Sequence, residues 1–363
     1  MLKYVEQKVQ IERTLNSFNE ILAAIRQISY TILPPETVVF DLDTTHLDTH
    51  GQQELAAYCT HYKSVGYHPF VMYDAITRDC IKVALRPGSE YCSKHAADFL
   101  EPVFQEFAEN YPDTRVVFRG DSGFAAPEIY ELCEKYGVNY IIRLKENDVL
   151  NGIFQPLINE VYALMKDDCV TEYRRVSDAE YKAKSWSHPR RAICEVYKAE
   201  GNCLLSISEI VTNIPAEELS EETGLELYRG RGIMETFIGE CKLQFGFTHV
   251  SSRTFFENCA RLQIHALAYQ LFNLFLRMNH VKELGNSRAV TVRRKLFKVN
   301  AKVVHHAREM TFHVTKTYPD KVMFEKVFNR IDQVSSETME LLKQRKRPLS
   351  ANKNFRIYQT AAA

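Results

Sequence analysis

What this sequence lacks removes several classes of protein. Its nine cysteines include no Cys-x-x-Cys pair, so neither a zinc ribbon nor a thioredoxin-like redox site is suggested. No apolar run approaches the ~20 residues a membrane span needs. The longest, "IHALAYQLFNLFLRM", is interrupted by His265, Gln270 and Asn273 and reads as a buried helix. The N-terminus, "MLKYVEQKVQIERTLN", has no apolar signal core, and an odd cysteine count without one reads as reduced, cytosolic thiols. Neither charge is in excess: 46 Lys and Arg stand against 46 Asp and Glu, so net charge names no partner. No internal repeat or low-complexity tract stands out.

What is present is an ordinary globular composition, and 363 residues suggest two structural units. Residues 1–36 read as an amphipathic helix and linker, stopped by Pro34 and Pro35. Residues 37–166 read as the first part of an α/β core. A strand at 37–43 comes first, and "HPFVMYDAITRDCIKVALRPG" follows as a hairpin. Ser93 caps a helix running to about Tyr111, with Phe99, Leu100, Val103, Phe104 and Phe107 at helical spacing. "DTRVVFRGDSGF" is a further strand, Pro127 opens a helix that Gly137 closes, and "VNYIIRLK" is the fifth strand. The order β-β-β-α-β-α-β predicts an RNase H-like mixed sheet with helices packed on it. Residues 167–215 read as a β-rich insertion and 216–280 as the second part of the core. Residues 281–345 form a basic C-terminal region, and 346–363 a flexible tail. Between Ser287 and Arg330 there are eleven Lys and Arg against three Asp and Glu, which suits phosphate contacts or a solvated face of C-terminal helices.

Two stretches carry chemistry. In "VVFDLDTTHLDTHGQQE" an apolar run ends in Asp41 and Asp43, which share one face of a strand. Such a start fits an aspartyl-phosphate hydrolase, with Asp41 as nucleophile in D-x-D-x-T. It equally fits a polynucleotidyl transferase, with a strand-borne Asp holding a metal. The predicted fold sets Asp121, at the end of the fourth strand, beside Asp43. In "YRGRGIMETFIGECK", Tyr228, Arg231, Glu235 and Lys242 fall within an arc of about 60° on a continuous helix at about 100° per residue. Gly232 and Gly239 flank that arc, where a missing side chain lets a ligand approach.

With these residues the chain resembles a bacterial insertion-sequence DDE transposase, of the branch with a Tyr-x2-Arg-x3-Glu-x6-Lys signature. Tyr228, Arg231, Glu235 and Lys242 match that spacing. "DLDTTHLDTHGQQE" resembles the family's first-Asp segment and "FRGDSGFAAPEIYELCEKYGVNYIIRLKEN" its second. The resemblance runs from about residue 37 to 330. It implies Asp43, Asp121 and Glu235 as catalytic residues and ligands of two Mg²⁺ ions, with Mn²⁺ able to substitute. Water would nick the element's end, and the freed 3′-OH would attack the other strand or the target. Tyr228, Arg231 and Lys242 would bind phosphates, and Trp186 an extruded base, unless Trp186 simply packs on its own hairpin. Implied partners are double-stranded DNA (terminal inverted repeats and target) and a second copy of the chain, with no membrane. The implied location is the cytoplasm, at the nucleoid.

Alternatives remain. Only about forty residues precede Asp43, fewer than in relatives, which leaves room for a shortened, non-cutting DNA-binding protein. Against the hydrolase, "GDSGFA" places Ala125 where its second late Asp belongs. Asp41 is either a supporting neighbour or a strand cap. Arg119 approaches a phosphate or pairs with a carboxylate. His46 and His50 flank Asp48 at a spacing a zinc site could use, and His305–His306 falls among the basic residues.

Overall fold

The computed structural model of the chain describes residues 2–167, 170–279, 284, 287–306, 309–315 and 317–344. A long helix, α1 (Leu2–Ile32), leads into β1 (Thr37–Thr44), β2 (Leu47–Asp48), β3 (Ala57–Cys59) and β4 (Ser64–Tyr67). The hairpin β5 (Phe70–Asp74) and β6 (Cys80–Ala84) comes next, then α2 (Ala96–Asn110), β7 (Arg115–Gly120), α3 (Pro127–Lys135) and β8 (Asn139–Arg143). After α4 (Asp148–Asp167) come β9 (Tyr173–Tyr181), β10 (Arg190–Lys198) and β11 (Ser206–Thr212). The chain continues through α5 (Glu221–Arg229), α6 (Ile233–Gln244), α7 (Phe255–Asn279) and α8 (Ala289–Val292). It closes with the hairpin β12 (Ala301–His306) and β13 (Glu309–Val314) and with α9 (Lys321–Gln344).

Eight strands make one sheet, in the order β6-β5-β1-β7-β8-β11-β10-β9. Strand β1 is antiparallel to β5 and parallel to β7, and β7 is parallel to β8. An antiparallel hairpin on a parallel centre with helical crossovers is the RNase H-like arrangement, as the element order predicts. Both faces of β1 are covered. Val38, Phe40 and Leu42 face α2 and α3, where the buried Phe40 ring meets Phe107 edge-on at 4.8 Å. Val39 faces the other side and packs with Val117, Ile141 and Leu225 of α5. Nearer the hairpin, Met234, Phe237 and Cys241 of α6 cover Val71 and Tyr73. Asp41 and Asp43 share the Val39 face, so α5 and α6 form the roof over both carboxylates. Among the described residues no helix is long and apolar enough to cross a membrane.

The structure departs from the sequence reading in several places. The insertion strands extend the main sheet, because β11 pairs with β8 and Ile193 and Ile210 join Ile141 in one core. Residues 47–67, where the sequence signals no element, form a small sheet ordered β2-β4-β3. Helix α2 starts at Ala96; His95 before it adopts a left-handed φ of 61°, and Ser93 contributes its carbonyl rather than a side-chain cap. The expected continuous helix across 228–242 is broken by a 3-10 turn, Gly230–Gly232. Two glycines within three residues weaken a helix by about 1 kcal/mol each, which makes this the place for a break. The basic region holds a hairpin as well as helices. The tail expected over 346–363 lies outside the described residues.

Candidate active site

Strands β1 and β7 lie side by side with Asp41 opposite Arg119, so the carboxylates two residues further on, Asp43 and Asp121, are also neighbours. The lower rung is an ion pair. Arg119 Nε and Nη2 donate to Asp41 Oδ1 and Oδ2, both at 2.7 Å, and both side chains are buried. That settles the open question about Arg119 in favour of a carboxylate partner. It also takes both Asp41 oxygens, which does not suit a nucleophile.

The upper rung holds two carboxylates at the mouth of a cleft of about 530 Å³, lined by Asp43, Asp121 and Glu235 among others. Asp43 Oδ1 accepts from the Thr44 N–H at 2.7 Å, and Oδ2 pairs with Arg231 Nη2 at 2.9 Å. Burial pushes the Asp43 carboxyl above the usual carboxylate range; Arg231 opposes this and the negative Asp121 adds to it. Asp121 Oδ1 accepts from the Gly123 N–H at 2.8 Å, capping the short 3-10 turn Ser122–Phe124. A Cβ at Gly123 would stand 2.9 Å from that oxygen and 3.1 Å from Cys92 Cβ, so a larger residue here would push the Asp121 carboxylate aside.

Helix α6 supplies the facing wall, with Glu235, Ile238, Gly239 and Lys242 projecting at one-turn intervals. Glu235 is exposed to the cleft. Lys242 Nζ donates to the His46 carbonyl at 2.8 Å, and burial lowers its pKa against the pull of Asp48. A Cβ at Gly239 would meet nothing within 4 Å, leaving the wall open. Arg231 reaches the site through Asp43 and also donates to the Leu42 carbonyl at 3.2 Å. Tyr228 is half-buried on the apolar cluster of Val39 and Leu225, and burial raises its phenol pKa.

Trp186 is elsewhere. It is 6% exposed, set edge-on to Tyr130 and Tyr181 at 5.2 and 5.0 Å, with the Arg190 guanidinium 5.3 Å from its ring. Its ring is enclosed in the core, the surroundings of a packing residue, and a stacking role on DNA would require it to leave them. His46 meets Asp48 at 3.3 Å and Ser64 Oγ at 2.8 Å, while His50 is exposed. Among the described residues no three His, Cys, Asp or Glu are gathered there to hold a zinc ion.

Several cleft residues escaped the sequence reading. Tyr62 stacks on His46 (4.8 Å, 18°) and stands edge-on to His61 and His68. Cys92 arrives on a loop held by the buried Arg86, whose Nη1 donates to the Tyr91 and Lys94 carbonyls at 3.0 Å each. No periodicity marks these residues; only the richness in His and Tyr after the first acidic strand hints at them.

The donor set fits a hard divalent cation in chemical type: carboxylate oxygens from Asp43 and Asp121, whose mutual repulsion a cation relieves, with Glu235 across the cleft. As the side chains stand, no three Asp, Glu, His or Cys among the described residues are grouped closely enough to hold an ion. Arg231 is the cation that Asp43 meets.

No curated protein matches the chain. Among solved structures, one similar to it is a piggyBac transposase, from a cryo-EM structure of a synaptic complex with hairpin DNA. The identity is 13% and the TM-score 0.39, over 85% of this chain and 54% of that one, so this chain spans about half of that protein's length. At that level the likeness carries no argument. The family model described as transposase DDE domain group 1 matches residues 3–336, and the chain belongs to that family.

Proposed function

We propose that this transposase-family chain cuts the ends of an insertion sequence and joins the freed 3′-OH to target DNA, as a polynucleotidyl transferase. One observation carries the reading: Asp43 and Asp121 at the ends of adjacent parallel strands, and Glu235 on the helix facing them, line one cleft. The three would hold Mg²⁺ or Mn²⁺, which supplies activation of an attacking oxygen and relief of charge on the leaving one. Lys242, inside the same cleft, offers a point charge to a phosphate. Arg231 is suited to forked phosphate contact once it turns from Asp43, and it neutralises Asp43 until then. Tyr228, which feels the charge of Arg231, would contact a DNA phosphate beside it. Partners would be the inverted repeats, target DNA and a second copy of the chain, in the cytoplasm at the nucleoid.

The test is divalent-metal-dependent nicking of a labelled duplex carrying the inverted repeats that flank the coding region. The wild type should cut in Mg²⁺ or Mn²⁺, while Asp121→Asn and Glu235→Gln, still folded, should lose at least a hundredfold in rate. Cutting that survives both substitutions would sink the assignment. Binding without cutting by the wild type would leave a DNA-binding protein instead.

A further inference from the structure

We infer that Arg119 is a positioning residue: braced on Asp41, it holds the Gly230–Gly232 turn against the sheet and so sets Arg231 and Glu235 relative to Asp43 and Asp121. The inference deepens the function proposed above and rests on it for its catalytic consequence.

Arg119 divides its fork between two elements. Nε and Nη2 are taken by the fully buried Asp41 on β1. Nη1 donates to the Leu227 carbonyl in the last turn of α5. Carbonyls at a helix end have no partner within the helix, and a cation there also faces the negative end of the helix dipole. One turn on, Gly230 closes against the same guanidinium: a Cβ at Gly230 would stand 2.8 Å from Arg119 Nη1. The backbone at Gly230 is ordinary helical (φ −56°), so conformation does not demand glycine there; proximity does. Nor is the guanidinium free to retreat, since its other two nitrogens are committed to Asp41. The next residue, Arg231, is delivered to Asp43 at 2.9 Å, and Glu235 follows in the first turn of α6. The path therefore runs from β1 through Arg119 to the turn and returns to β1 at Asp43. Lysine keeps the charge at 119, but one ammonium does not reproduce a planar fork spanning a carboxylate and a carbonyl.

The experiment compares the full-length wild type with Arg119→Lys, Asp41→Asn and Gly230→Ala. Gly230→Ala leaves the buried pair intact should the other two fold poorly. Amide hydrogen exchange is followed by mass spectrometry over residues 227–236 and, as an internal control, over β10 and β11. Cutting is followed on a supercoiled plasmid carrying the inverted repeats, with Mn²⁺. We expect exchange over 227–236 to accelerate at least tenfold while β10 and β11 are unchanged. The rate at saturating DNA should fall at least tenfold, with the half-saturating DNA concentration within twofold of wild type. Unchanged exchange, or acceleration spread equally over β10 and β11, overturns the inference. Local acceleration with an unaltered rate in an active protein overturns its catalytic part. A wild type that cuts nothing overturns the proposed function instead, and exchange alone then decides whether Arg119 holds the turn.

Discussion

Lys82 is an amine almost without water. On β6 its Nζ donates to the Phe99 carbonyl at 2.7 Å and lies 4.6 Å from the Phe99 ring centroid. Burial lowers its pKa from 10.5 to about 7, against the pull of Glu106 and Asp98. Between those values the unfolded chain holds a proton that the folded chain does not, so stability rises with pH across that window. Below about pH 7 both states are protonated and the full burial penalty is present. Lys82→Met should therefore raise the urea midpoint at pH 7 and flatten its rise towards pH 10; an unchanged pH profile would count against this. Trp186 gives a second residue-scale expectation. Enclosed by Tyr130 and Tyr181, it should cost about 3–5 kcal/mol in urea unfolding when replaced by alanine. Trp186→Phe should leave DNA affinity intact, and a large loss of affinity in a stable Trp186→Phe protein would restore the stacking role.

Among elements, α6 matters most, because it carries Glu235 and is pinned at its far end. Glu240 Oε2 pairs with Arg78 Nη2 at 2.7 Å across the turn between β5 and β6, and Glu240 Oε1 accepts from the Ala289 N–H at 2.7 Å. Removing one partner of a buried pair leaves an uncompensated charge, so Glu240→Ala should lower stability by about 3–5 kcal/mol, measured by chemical denaturation. A loss below 1 kcal/mol would mean the helix is held by its apolar face alone. The strands bearing Asp43 and Asp121 were legible because β-branched runs ending in acids announce themselves, and the strand–helix alternation dictates parallel neighbours. The break at Gly230–Gly232 was not: an angular plot assumes one continuous helix, and the contact that uses Gly230 comes from Arg119, over a hundred residues earlier. The small sheet was hidden for another reason. Its strands are two to four residues long, too short for alternation to show. Asp41 with Arg119 was half legible, since same-face placement follows from strand geometry while the choice of partner needs three dimensions.

For the molecule as a whole, zero net charge conceals a basic segment anchored at the far end of α6. The Ala289 N–H is held by Glu240, and Arg293 Nη2 donates to the Gln244 carbonyl at 3.1 Å, so the run "RRKLFK" starts from the end of α6. The Arg294→Gln, Lys298→Gln double variant should weaken DNA binding at low salt for any sequence. It should also reduce the slope of log affinity against log salt by about 0.9 per lost phosphate contact, read from a salt titration. An unaltered slope would leave these residues as a solvated face. Finally, the order of the elements along the chain fixes the order in which a ribosome releases them. The hairpin, β1, β7 and β8 are all complete by Arg143, while Glu235 follows only after α4 and three further strands. At about 5–20 residues per second of synthesis, Asp121 waits roughly 6–23 s for its facing wall and Asp43 longer still, and any product ending early within that interval carries the acidic pair without Glu235.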